Sequence, residues 1–249
     1  MENCTDSVGG LSISGPNSRA LLERLVLSPE LVSHEAMRFM TAAQLDVGLT
    51  PATVCRVSVS GELGYEITCD ANQLPALYDA VRDAGQGLGL QPIGTYALNS
   101  LRLEKSFGIW SREYTPEFAP AQCGLDRFVA LDKPADFVGR EQAVAAADAA
   151  ASGVGPRPRQ LVTLELAGDV DAWGYEPVWS ADGEVVGFTT SGGFGHHVGK
   201  SLAMAYVDAE ALEGAGGGVS MVHVMGDETE AAVLTEPAFD PSGARMFRS

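Results

Sequence analysis

The chain has 249 residues, 45% hydrophobic and 20% charged, which suits one large globular domain or two modest ones with ample core. A formal net charge of −17 argues against nucleic acid, because phosphate binding needs a basic footprint. There is no run of 18 apolar residues, and the start, MENCTDSVGG, has neither a basic nor an apolar leader region, so neither a membrane span nor secretion is expected.

Cys4, Cys55, Cys69 and Cys123 are scattered without CxxC spacing, and a reduced, cytoplasmic setting is the simplest expectation. His196 and His197 are adjacent, so on a strand they point to opposite faces and do not chelate one ion together. His34 and His223 are isolated, and no metal site is expected.

In chain order, Leu11 and Ile13 alternate with Ser12 and Ser14 as a strand that Gly15-Pro16 breaks. Asn17 or Ser18 then caps a helix to about Leu27 with Leu21, Leu22 and Leu25 buried. Glu35 to Met40 reads as a short helix and Gln44 to Val47 as a strand. The stretch Ser58 to Ile67, SVSGELGYEI, follows a strand whose alternation runs from Val54 to Val59. Gly61 and Gly64 bracket a bend, and a second strand carries Glu66. Two glycines around an acid permit a sharp turn and close approach of a ligand. A carboxylate on the returning strand can accept paired N–H donors from a flat heterocycle. The alternative is a plain β-hairpin whose acids face water.

Asp70 or Asn72 caps a helix in which Leu74, Leu77, Tyr78 and Val81 share a face, with Gly85 as its stop. The glycines of GQGLGL (85–90) follow a helix rather than a strand, so they are read as a terminator and not as a dinucleotide loop. Gly94 opens a helix, TYALNSLRLEK, with Leu98 and Leu101 inward and Arg102 and Glu104 at the surface or in ion pairs. Phe107 to Ala121 is a long aromatic loop with Trp110, Tyr114 and Phe118, of a length that often serves function. A strand from Phe128 to Leu131, a Lys133-Pro134 turn and an Ala-rich helix from about Gly139 to Ala151 follow.

Glycine and proline density over 151–158 marks a linker. Beyond it, short alternating segments at Leu161–Leu166, Pro177–Trp179, Val185–Thr190, Leu202–Val207, Val219–Val224 and Ala231–Leu234 suggest a small antiparallel barrel or sandwich. The tract Gly214 to Gly218 reads as a loop, since no helix follows it.

Taken together, SGELGYEI, GTYALNSLRLEKSFGIW, CGLDRFVALDKPADFVGREQA and the tail segments EPVWSADGEVVGFTTSGGFGHHVGKSLAMAYV and VLTEPAFDPSGARM resemble the aminomethyltransferase (glycine cleavage T-protein) family. The similarity is greatest to the folate-binding C-terminal halves of dimethylglycine and sarcosine dehydrogenases. It implies an α+β fold, partly ferredoxin-like, over 1–150, followed by a small antiparallel β-barrel domain over 157–249. It also implies tetrahydrofolate as cofactor, a small amine donor, and transfer of a one-carbon unit to folate N5. Glu66 matches the family glutamate that hydrogen-bonds the pterin, and Phe107 sits where relatives place an aromatic ring near folate, with core packing as its alternative role. Tyr65 and Trp110 complete the implied cofactor-binding set.

The chain also departs from that pattern. Val59 replaces a usual tyrosine, Leu98 stands where the T-protein has arginine, and the closing segment lacks a matching tyrosine. The family's catalytic aspartate belongs upstream of the segment resembling Glu2 to Gly15, so no catalytic residue is expected here, and Asp6 reads as a turn or cap residue. No flavin motif is present, so any amine oxidation is expected on another polypeptide. A partner chain or homo-oligomer is expected to cover strand edges left by the absent part. The resemblance equally allows a non-catalytic folate-binding or accessory subunit.

Overall fold

A computed structural model of the chain describes residues 3–152, 159–213 and 219–247. The expected linker over 151–158 and the loop over 214–218 lie, for the most part, outside those residues. The chain forms two compact units, residues 1–98 with 240–249, and residues 99–239. The fold is α+β with a closed antiparallel barrel, as the resemblance implied.

The first unit is built on a four-stranded antiparallel sheet in the order β1-β4-β3-β2. Its strands are β1 (Val8–Ser14), β2 (Ala42–Val47), β3 (Thr50–Cys55) and β4 (Gly64–Asp70). Helices α1 (Ser18–Glu23) and α2 (Leu74–Ala84) bury Leu21, Leu22, Leu77 and Val81 with Ile13, Val47, Val54, Tyr65 and Ile67 of the strands. The other sheet face presents small and polar side chains such as Ser12, Gln44, Glu66 and Thr68. Strand periodicity of two separates these sets, so the core was legible from alternation.

Several elements differ from the sequence reading. The strand expected through Val59 stops at Cys55, and Arg56 just beyond it is fully buried. Helix α1 ends at Glu23, short of Leu27, and Leu27 is exposed. Glu35–Met40 is not helical; a 3₁₀ turn lies earlier at Pro29–Val32, where proline fits the first turn. Helix α2 starts after a 3₁₀ turn over Ala71–Gln73 without a side-chain cap, and Tyr78 lies at its exposed edge. The β2–β3 connection is a two-residue hairpin, Gly48-Leu49, with both φ angles positive at 56° and 70°. That geometry matches the twist of the flanking strands, although leucine is an unusual occupant.

Helix α3 (Thr95–Glu104) leads into the second unit. Leu98 is exposed, whereas Arg102 and Glu104, expected at the surface or in ion pairs, are each 1% exposed, and Arg102 pairs with Glu113. The strand expected at Phe128–Leu131 is a 3₁₀ turn over Asp126–Phe128 and irregular chain, with Phe128 exposed. Helix α4 runs over Arg140–Ser152. His196 and His197 fall in a turn rather than on a strand.

The sandwich alternative gives way to a closed six-stranded barrel, ordered β10-β5-β8-β7-β6-β9. The strands are β5 (Arg159–Leu166), β6 (Pro177–Ser180), β7 (Val185–Gly195), β8 (Lys200–Asp208), β9 (Val219–Val224) and β10 (Asp227–Leu234). Ala203, Ala205 and Val207 of β8 join the barrel interior with Leu164, Val178 and Val222. Leu202 and Met204 point the other way and are buried with Leu103 of α3. Burial on both faces explains why Ser201–Val207 reads as an almost unbroken apolar run.

Packing of this density makes truncations costly. Leu22→Ala, at a fully buried position, is expected to lower unfolding free energy by about 3 kcal/mol, read from the midpoint of urea unfolding.

Candidate functional site

Strand alternation sets the environment of the first candidate residue. Tyr65 and Ile67 on β4 are fully buried, so Glu66 between them projects from the open face of the sheet. It stands opposite Ser12 of β1 and Cys55 of β3. Among the described residues, no hydrogen bond or ion pair engages its carboxylate. An ionised carboxylate offers acceptors only, so this group suits a ligand edge rich in N–H donors.

The bend before Glu66 is pinned by short-range polar contacts. Gly61 N donates to Ser58 Oγ at 3.0 Å, Glu62 N donates to Ser60 Oγ at 3.4 Å, and the Ser60 and Ser14 hydroxyls share a hydrogen bond. Gly61 has φ 81°, which favours glycine. A Cβ at Gly64 would lie 2.9 Å from the Val57 carbonyl oxygen, so the second glycine of the motif permits close backbone approach. Tyr65 is not presented to solvent: its phenol oxygen accepts from Arg19 Nε at 3.1 Å.

Phe107 and Trp110 belong to the second unit. The loop that carries them is anchored by a buried charge network. Arg102 Nη1 donates to the Phe107 carbonyl (3.2 Å), to Glu113 Oε2 (3.2 Å) and to Met204 Sδ (3.1 Å). Its Nη2 donates to Asn99 Oδ1 (2.8 Å) and Ser191 Oγ (2.7 Å). Glu113 Oε1 accepts from Thr190 Oγ1 (2.7 Å) and Ser191 Oγ (2.5 Å), while Oε2 accepts from Ile109 N (2.9 Å). Every oxygen of the buried carboxylate is therefore occupied, as burial of charge requires. Burial pulls the Arg102 guanidinium below its ordinary value, and Glu113 acts in the opposite direction. Phe107 is half-buried, with Lys105 Nζ 6.0 Å from its ring centroid, and Trp110 is 81% exposed with its ring edge toward Tyr114.

Beside this network, Tyr206 donates to the Glu113 carbonyl (2.8 Å), meets Cys123 Sγ at 3.0 Å and stacks on Phe118 at 3.5 Å. Burial, followed by the Cys123 contact, raises its phenol pKa well above the usual range. A cavity of about 190 Å³ lined by Arg82, Gly85, Gln86, Leu90, Gln91 and Pro92 holds none of the four candidate residues.

Sequence reading missed Arg102, Glu113, Thr190 and Ser191 as a group. Their side chains are far apart in sequence, and isolated charged residues default to the surface. Four consecutive buried positions, Arg102 to Lys105, carry no periodic signal of that burial.

The deciding observation is a match of residues 1–133 to the GCVT N-terminal domain and of 159–240 to the glycine cleavage T-protein C-terminal barrel domain. The chain belongs to the glycine cleavage T-protein family. Human mitochondrial dimethylglycine dehydrogenase is 40% identical over 238 residues, covering 95% of this chain and 26% of that protein. Streptomyces coelicolor aminomethyltransferase is 34% identical over 216 residues, 85% of this chain and 56% of that protein. The crystal structure of the glycine cleavage system aminomethyltransferase T from Bartonella henselae superposes with a TM-score of 0.77 at 22% identity, covering 94% of this chain and 60% of that one. The chain thus spans only about a quarter of the dehydrogenase and little more than half of the aminomethyltransferases. No described helix is long and apolar enough to cross a membrane.

Two outcomes follow for this family member. Glu113→Ala leaves Arg102 as an unpaired buried charge and is expected to cost about 3–5 kcal/mol in urea unfolding. Tyr206 is held neutral in the fold, whereas an unfolded tyrosine ionises near pH 10 (about). Its contribution is complete below about pH 10 and is lost as pH rises further. Unfolding midpoints are therefore expected to fall above that pH, and less steeply in Tyr206→Phe.

Proposed function

We propose that this chain is a tetrahydrofolate-binding one-carbon transfer module, working as the folate part of an amine-demethylating system of the dimethylglycine or sarcosine dehydrogenase kind. The observation that carries the reading is Glu66, an exposed carboxylate on β4 that no described protein group engages, within a chain of the glycine cleavage T-protein family.

The residues present fit the ligand chemically. Reduced pterins have a donor-rich edge, and an acceptor-only carboxylate with both oxygens open complements it. Tetrahydrofolate supplies, when bound, a nitrogen that accepts a carbon from an amine donor. The role assigned to Glu66 is to bind and orient the ring by accepting its N–H groups. Orientation is a large source of rate when two reactants must meet. The backbone that carries Glu66 is stiffened by pairing on both sides, to β1 and to β3, so the ordering needed on binding is that of the side chain alone. Phe107 and Trp110 are further proposed contacts, each tested by the same titration, whereas Tyr65, fully buried on the face of β4 opposite Glu66, supports the strand rather than the ligand.

Calorimetric titration of tetrahydrofolate into the full chain tests this. Glu66→Gln is expected to weaken affinity on the order of 10- to 100-fold, the loss of a charge-assisted pair of hydrogen bonds. A wild-type chain that binds no tetrahydrofolate overturns the proposal. Binding without capture of carbon from an amine donor and its oxidising partner would leave the accessory-subunit reading.

A further inference from the structure

Residues 240–247 belong to the first unit, and all but the first lie outside both matched family segments. Their sequence, DPSGARMF, builds a tight local turn. Asp240 accepts Gly243 N at its carbonyl (2.8 Å), and its carboxylate oxygens accept Ala244 N (3.2 Å) and Arg245 N (3.0 Å). Gly243 has φ 69°, and Met246 N returns to the Gly243 carbonyl at 3.0 Å. Short acids followed by glycine favour this self-capped geometry.

The turn grips both ends of the connection between β3 and β4. At the far end, Arg245 Nη1 pairs with Glu62 Oε1 at 2.6 Å. At the near end, the fully buried Arg56 donates from Nη2 to the Met246 carbonyl (3.3 Å) and from Nη1 to the Met37 carbonyl (2.8 Å). Met246 is 8% exposed, and Phe247 sets its ring edge against Phe39 with centroids 5.0 Å apart. Between these anchors lie Ser58 to Gly61, which serine hydroxyls hold internally and against β1. The bend therefore meets the chain's closing turn on one side and its first strand on the other. Glu66 lies four positions after Glu62, and the bend sets where β4 begins.

We propose that Arg245 is a positioning residue: through Glu62 it fixes the Arg56–Leu63 bend and thereby holds Glu66 in place for its ligand. This rests on the folate reading for the identity of that ligand, but not for the restraint itself. An exposed ion pair contributes little on average. This one differs in joining two segments 183 residues apart and in acting together with the buried Arg56 anchor.

The experiment uses the full chain and two readouts, amide hydrogen exchange in the free protein and tetrahydrofolate affinity. Arg245→Ala is expected to speed exchange at Gly61–Tyr65 by about tenfold while β5 and β8 of the barrel keep wild-type protection, and to weaken tetrahydrofolate by about fivefold. Arg245→Lys, or the swap of Glu62→Arg with Arg245→Glu, is expected to restore both. Unchanged exchange in Arg245→Ala overturns the restraint, and faster exchange with unaltered affinity overturns the positioning role. If the wild type binds no tetrahydrofolate, the folate reading falls, while the exchange arm still decides whether Arg245 holds the bend.

Discussion

The parity of a single strand governs this molecule's candidate chemistry. On β4, Tyr65, Ile67 and Cys69 are buried, which obliges Glu66 and Thr68 to face outward. A one-residue slip would drive a carboxylate into the apolar core and expel a tyrosine, so the register is strongly specified. The pairing of β4 with both β1 and β3 enforces it, and the bend before Gly64 determines its phase. Fold stability and site geometry are thus the same constraint seen from two faces of one sheet.

The second unit solves a different problem, that of a charged pair at essentially zero exposure. Arg102 and Glu113 are tolerated because donors and acceptors from α3, the aromatic loop, β7 and β8 saturate them. An ion pair of this kind contributes specificity more readily than net stability. Here it fixes the backbone at Phe107 and Ile109, so a loop that is long by sequence is closely anchored at its base. Beside that network, Tyr206 of β8 keeps its proton chiefly because it is buried and next because it meets Cys123, while its hydroxyl donates to the Glu113 carbonyl.

Legibility in the sequence divided along physical lines. All six strands of the barrel were readable, most by alternation, which survives without tertiary information, and β8 as a short apolar run. The bend before β4 was readable because glycines mark bends directly. Closure of the barrel was not, because alternation is the same in a sandwich and in a barrel. Ion pairing was among the roles expected of Arg102, but the burial of Arg56, Arg102 and Glu104 was not legible, because burial of a charge depends on partners scattered along the chain. Glu104, for instance, accepts from His197 N at 2.7 Å, a partner 93 residues away. Glu35–Met40 is not helical, and α1 ends at Glu23, four positions short of Leu27.

Closure of the barrel also decides where unsatisfied backbone can be found. All six of its strands have neighbours on both sides, so among the described strands the open ladder edges belong to β1 and β2 alone. The β1 rim carries Gly9 and Gly10, poor strand formers, and β2 carries Asp46, an acid that discourages intruding chains. Among the described strands, those with an unpaired side therefore lie in the unit that bears Glu66, and each carries residues that disfavour an added strand.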